Sequence, residues 1–221
     1  MRTPRLDRDR QQWIFDYFVQ ETGKVFHWDE DGRQVPPSVK SHAQISKHLG
    51  RMGQRFERVA LEEETAGHSA TAFELYYRAS STFAAAQHPV LETNDEKRYL
   101  HGRCIANYEK VIEHAPHKIE RLEIPFEGSE LQCNFHLIPG EPNAPLIIFI
   151  PSCDMTKEIY PDPRIIQAHY RGMHLLVIDG PGQGTSNLRN IKLTPDNYEH
   201  AVLSIAEYMA KRDEVDEDQI V

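Results

Sequence analysis

Two short segments carry the residue types from which a chemical site is built. The first is Asp179-Gly180-Pro181-Gly182-Gln183-Gly184. It follows the apolar run Leu175-Leu176-Val177-Ile178, and open α/β sheets place their ligand sites at the carboxyl ends of buried strands. A dinucleotide fingerprint needs G-x-G-x-x-G leading directly into a helix whose N-terminus holds the pyrophosphate. Here the spacing is G-x-G-x-G with Pro181 inside it, and the residues that follow read as loop. The Lys-Ser/Thr pair of a P-loop is also missing. The segment therefore reads as a structural turn whose glycines allow positive φ, with nucleotide binding the weaker alternative.

The second segment, Pro151-Ser152-Cys153-Asp154-Met155-Thr156-Lys157-Glu158, follows another apolar run, Leu146 to Ile150. A thiol at a strand tip is a familiar place for a nucleophile. A nucleophile elbow, however, is flanked by small residues because its turn is strained. Ser152, Asp154 and Met155 do not provide them, and a carboxylate next to a thiol opposes the thiolate. Ser152 is no better placed as a nucleophile. The backbone suits this position better than the side chains, because an N–H exposed after the strand stabilises an oxyanion. Cys153 and Asp154 are thus candidate backbone donors. Twelve histidines invite a metal reading, but none forms H-E-x-x-H. His114 and His117 are the one close pair with ligand-like spacing, and Cys133 and His136 have opposite parity on a strand. No metal and no cofactor is expected.

These segments need a sheet to hold them, and the pattern supplies one. Residues 119–126 alternate, Gly128-Ser129 makes a turn, and 131–138 form a second strand, which together predict a β-hairpin. The two continuous apolar runs, 146–150 and 175–178, are signatures of strands covered on both faces. A helix is expected over 162–171, stopped by Gly172. Thr194-Pro195 opens another helix, with Tyr198, Val202, Ile205 and Met209 as its buried stripe. Val215 to Gln219 reads as a polar turn, and Ile220-Val221 as the opening of a third buried strand. This alternation predicts βαβα units in a mixed, mostly parallel sheet. Before residue 117 the period is helical. Helices are expected over 39–58, over 69–87 with Phe73, Tyr76, Tyr77, Ser80, Phe83 and Ala84 in one stripe, and over 94–115 with Leu100, Cys104, Tyr108, Val111 and Ile112. An amphipathic segment around Trp13 to Val19 precedes them. The boundaries are therefore 1–116 for a helical domain and 117–221 for the sheet.

Composition narrows the function classes. With 221 residues, 39% apolar and 27% charged, the chain fits a globular protein with a substantial core. A net charge of −9 without a basic stripe argues against nucleic acid. No apolar stretch approaches the ~20 residues needed to span a bilayer, and the start lacks the features of a secretory signal. Three widely spaced cysteines suggest a reducing compartment without disulfides, hence the cytoplasm.

Taken in order, these elements resemble a known family. The helical region, the hairpin, I-P-S-C-D-M-T-K-E, Y-R-G-M-H-L-L-V-I-D-G-P-G-Q-G-T and V-D-E-D-Q-I-V look like the α/β-hydrolases with an N-terminal helical domain. That group includes dihydroxypseudooxynicotine hydrolase, FrsA-type esterase-like proteins and fungal polyketide-shortening hydrolases. The resemblance covers residues 70–221 and implies a partial α/β-hydrolase sheet, incomplete in this chain. It implies an oxyanion-hole N–H at Cys153 or Asp154, where Ser152 replaces an expected glycine. It also implies that Asp179, Gly180, Gly182 and Gly184 form a turn lining the site. The family's serine nucleophile sits in G-x-S-x-G after the strand that Ile220-Val221 would begin, and the acid and histidine come later. No G-x-S-x-G occurs in these residues, so no catalytic side chain is assigned. The implied reaction is hydrolysis of an ester, or of a C–C bond next to a ketone, in a small-molecule substrate, with the helical domain as cap and homodimer surface. The competing reading is a non-catalytic helical interaction protein with a degenerate hydrolase half-domain.

Overall fold

The computed structural model describes Val39 and residues 41–221; the amphipathic segment at residues 13–19 lies outside the described residues. The chain divides into two compact units, with the division between Asn107 and Tyr108.

In the first unit, α1 (His42–Thr65) packs on α2 (Ser69–Gln87), and α3 (Asp95–His114) begins. Five of the six residues in the expected stripe of α2 are inside: Phe73, Tyr76, Ser80, Phe83 and Ala84 are buried, while Tyr77 is half-buried. Two glycines of α1 let large side chains approach. A Cβ on Gly53 would stand 3.0 Å from the Phe83 ring, and one on Gly50 would stand 3.2 Å from Leu100. Ser80 Oγ donates to the Cys104 carbonyl at 2.9 Å, and Glu57 accepts from Arg103 and from Asn107 Nδ2.

The second unit is built on a five-stranded sheet of order β1-β2-β4-β3-β5. Its strands are β1 (Ile119–Phe126), β2 (Ser129–His136), β3 (Ala144–Phe149), β4 (His174–Ile178) and β5 (Val215–Ile220). β2 pairs antiparallel with both β1 and β4, while β3 pairs parallel with β4 and β5. Only β2 thus runs against the others, which is the mixed, mostly parallel sheet that the pattern predicts. The hairpin turns on Glu127 and Gly128, both at positive φ (47° and 75°). A two-residue loop of that geometry matches the right-handed twist of the strands it joins.

Alternation along β4 serves two cores. Leu176 and Ile178 join Leu131, Cys133, Phe135, Leu146, Ile205 and Met209 on one face. Leu175 and Val177 meet Ile166 and Ala168 on the other. β4 is buried throughout, as its apolar run predicts, whereas β3 is buried only at Ala144 and Leu146. α5 (Asn197–Met209) lays Ala201, Ile205 and Met209 on the sheet. Its start is fastened by a reciprocal pair: Thr194 N donates to Asn197 Oδ1 at 2.9 Å, and Asn197 N to Thr194 Oγ1 at 3.3 Å. One of the unpaired donors of the first turn, Asn197 N, is satisfied in this way, and the other bond ties the preceding segment to the helix.

Three local expectations are corrected. No α-helix forms over 162–171. The segment runs in successive turns and ends in a single 3₁₀ turn, His169–Arg171. Its backbone bonds close three residues back, from Ile165 N to Asp162 O, His169 N to Ile166 O and Arg171 N to Ala168 O. The Asp162 carboxylate captures the Arg164 N–H and guanidinium, the kind of local competition that breaks helices. Gly172 still ends the segment, at φ 75°. The second correction is at 215–219, which is strand rather than turn. Val215 faces Ala144 and Ile220 faces Leu146, so β5 places extra residues opposite β3. Asp216 to Gln219 form that bulge, with Asp216 accepting from Asp218 N and from the Gln219 amide. The third is a short helix, α4 (Gly184–Leu188), where loop is expected after the glycine turn.

A histidine cluster closes one part of this unit. His117 Nε2 lies 3.0 Å from His136 Nδ1, Tyr108 Oη lies 3.4 Å from His136 Nε2, and the His169 ring meets His117 edge-on. Burial, and then the charge of His169, lowers the His117 pKa to about 4; burial, and then the charges of His117 and His169, hold His136 well below its ordinary value.

Candidate active site

The loop after β3 and the turn after β4 come together at one end of the sheet. Parallel pairing puts Phe149 beside Val177, so the segments that follow these strands leave on the same edge.

Asp179, the first residue of the turn, is fully buried. Its carboxylate accepts from Lys157 N at 3.0 Å, Lys157 Nζ at 2.8 Å and Thr185 N at 2.8 Å. Its own carbonyl accepts from Ser186 Oγ at 2.6 Å, and its N–H donates to the Gln132 carbonyl. The side chain is therefore a fastening between loop, turn and α4. Lys157 is buried to the same degree, with Nζ also 2.6 Å from Glu158 Oε1. Burial alone would lower the lysine's pKa. The carboxylates of Asp179 and Glu158 outweigh that and hold it above its usual value. The ammonium also reaches Thr185 Oγ1, which donates to Gln132 Oε1, and Gln132 donates to Glu123 at the Arg189 ion pair. A polar chain thus runs from the buried cation to the surface.

The turn needs its glycines for distinct reasons. A Cβ on Gly180 would stand 2.4 Å from the Tyr198 ring. Gly182 has φ +84°, and Gly184 has φ +36° with Asp179 Oδ2 2.2 Å from where its Cβ would lie. Gln183 is the second fastening. Its Nε2 donates to the carbonyls of Pro151 (2.9 Å) and Ser152 (3.0 Å). Its Oε1 accepts from Gly180 N (3.2 Å) and Tyr198 Oη (2.5 Å). Both donors and both lone pairs of the carboxamide are used. Burial, with the Asp179 charge second, raises the Tyr198 phenol to about 12, so it stays a donor.

Cys153 is exposed and Asp154 is buried. The Cys153 N–H donates to no group among the described residues, while Met155 N closes a turn on the Ser152 carbonyl at 2.9 Å. The structure therefore brings the two predicted segments together, and the Asp179 carboxylate is spent on bonds within the fold. Lys157, Gln183 and Tyr198 are the residues that sequence reasoning passed over. The first two stand inside the motifs, and the signal they offer is a lysine and a glutamine beside buried runs.

Comparison with known proteins gives a consistent picture. No family model matches the chain. An α/β hydrolase of Acremonium sp, ucsC, is 31% identical over 173 residues, covering 69% of this chain and 35% of that protein. The α/β hydrolase gkaG of Penicillium citrinum is 31% identical over 171 residues, covering 72% and 39%. The chain thus spans little more than a third of these curated relatives. Among solved structures, 2,6-dihydroxy-pseudo-oxynicotine hydrolase superposes with a TM-score of 0.66 at 22% identity, over 85% of this chain and 51% of that one. AbyA5 superposes with a TM-score of 0.52 at 19% identity, over 72% and 44%. At these identities the two structures show the fold.

Proposed function

Because the chain belongs to the α/β-hydrolase family, we propose that residues 151–157 supply one donor of an oxyanion hole. The reaction is hydrolysis of an ester, or of a ketone-adjacent C–C bond, in a small-molecule substrate. A serine outside these 221 residues is the nucleophile and passes through an acyl-enzyme. The observation that carries the reading is the uncommitted Cys153 N–H on a loop after β3 that is held at both ends. As the nucleophile adds, the substrate carbonyl oxygen gains negative charge, and a preorganised N–H there binds it more strongly than the neutral carbonyl. The second N–H comes from the residue after the nucleophile. Among the described residues no helix is long and apolar enough to cross a membrane. A cytoplasmic location, and a cap and homodimer role for residues 1–116, belong to the same reading.

The test is p-nitrophenyl acetate turnover by the 221-residue chain, alongside Cys153→Ala and Ser152→Ala. The expected result is the background rate for all three, since a backbone donor without a nucleophile does not turn over substrate. A clear rate lost only in Cys153→Ala would make the thiol a nucleophile and overturn the assignment of Cys153 as a backbone donor.

A further inference from the structure

We propose that Gln183 is the positioning residue that sets the direction of the Cys153 N–H. The inference rests on the oxyanion reading and extends it to a residue that contacts no substrate. A peptide unit is planar and trans, so a carbonyl and the N–H that follows it point in opposite directions. Gln183 Nε2 grips the Ser152 carbonyl at 3.0 Å, and the N–H of that same peptide unit is that of Cys153. Its second hydrogen grips the Pro151 carbonyl at 2.9 Å, so one side-chain group holds two consecutive peptide planes, with Met155 N as a second donor to the Ser152 carbonyl at 2.9 Å. The carboxamide cannot be reversed: a flipped amide would set N–H against N–H at Gly180 and oxygen against oxygen at Pro151 and Ser152. The Oε1 bonds to Gly180 N and Tyr198 Oη hold the amide from behind. At the far end of the loop, Asp179 takes Lys157 N and Asn134 Nδ2 donates to the Lys157 carbonyl at 3.3 Å. The loop is clamped at both ends, and the Cys153 N–H is left pointing away from Gln183 with no partner among the described residues.

Gln183→Glu separates positioning from mere support of the turn. A carboxylate still accepts from Gly180 N and Tyr198 Oη but has nothing to donate to the loop. In the ¹⁵N-labelled 221-residue chain, the wild-type Cys153 amide is expected to have an order parameter of about 0.85, falling below about 0.6 in Gln183→Glu while β4 amides stay unchanged. An unchanged Cys153 order parameter and residual dipolar coupling in the folded variant would overturn the proposal. If Gln183→Glu does not fold, Gln183→Met, which matches the shape and lacks every bond, is read by the same criterion. In the polypeptide that carries the nucleophile, Gln183→Glu should lower kcat by about 10²–10³-fold with KM little changed, the loss typical of one oxyanion donor. An altered amide with unaltered kcat would also overturn it. A wild type that turns over no ester would sink the hydrolase reading instead, and the amide measurement would still decide the role of Gln183.

Discussion

Lys157→Met is expected to be among the most damaging single changes in the sheet unit. It removes the cation from a fully buried trio and leaves the Asp179 and Glu158 carboxylates 0% exposed without it. Breaking a buried pair by removing one partner costs about 3–5 kcal/mol, a large part of the ~5–15 kcal/mol by which a domain is stable. For a chain of this size each kcal/mol lowers Tm by roughly 2–4 °C, so a fall of about 6–20 °C is expected by calorimetry. Replacing all three groups together, as Lys157→Met with Glu158→Gln and Asp179→Asn, should recover part of that loss, since no unpaired charge then remains buried. A Tm within about 2 °C of wild type for Lys157→Met alone would show that water reaches the trio and that the clamp is weaker than its geometry.

Gly184→Ala is the second large effect. A Cβ there would stand 2.2 Å from Asp179 Oδ2, and the backbone sits at φ +36°. The carboxylate cannot swing aside cheaply, because Lys157 N, Lys157 Nζ and Thr185 N all hold it. Overpacking of about 1–3 kcal/mol adds to backbone strain of about 1–3 kcal/mol. In Asp179→Ala the obstructing oxygen is gone, so Gly184→Ala should cost less there than in wild type. A double-mutant cycle in urea checks this, since residues in contact couple while independent sites add. Strict additivity would mean that the methyl and the carboxylate do not meet.

Much of the fold was legible because it is written in apolar periodicity. One stripe predicts α2 to its observed bounds, and four consecutive apolar residues predict β4. The hairpin followed from alternation around Gly128. The misses share a cause: side chains that bond to backbone leave no periodic trace. Asp162 captures Arg164 N and turns an expected helix into turns, and Asp216 folds a polar stretch into a bulge within β5. The two segments that meet after β3 and β4 are legible as motifs, but the bonds that join them are not. Lysine is almost never fully buried unless paired, and its partner Asp179 lies 22 residues away, outside any local window. Gln183 looks like a turn residue until its four bonds are seen. Positive φ accounts for Gly182 and Gly184, as the turn predicts, whereas Gly180 is there for the Tyr198 ring.

A fluorophosphonate probe tests most directly the proposal that the loop after β3 serves a serine nucleophile. An antibody against the 221-residue chain would capture the native polypeptide from cells that express it, for reaction with a fluorophosphonate probe. The account predicts stoichiometric labelling of one serine, located by mass spectrometry in sequence other than these residues and lost after heat denaturation. Captured polypeptide that stays unlabelled, while another serine hydrolase in the same extract is labelled, would contradict it.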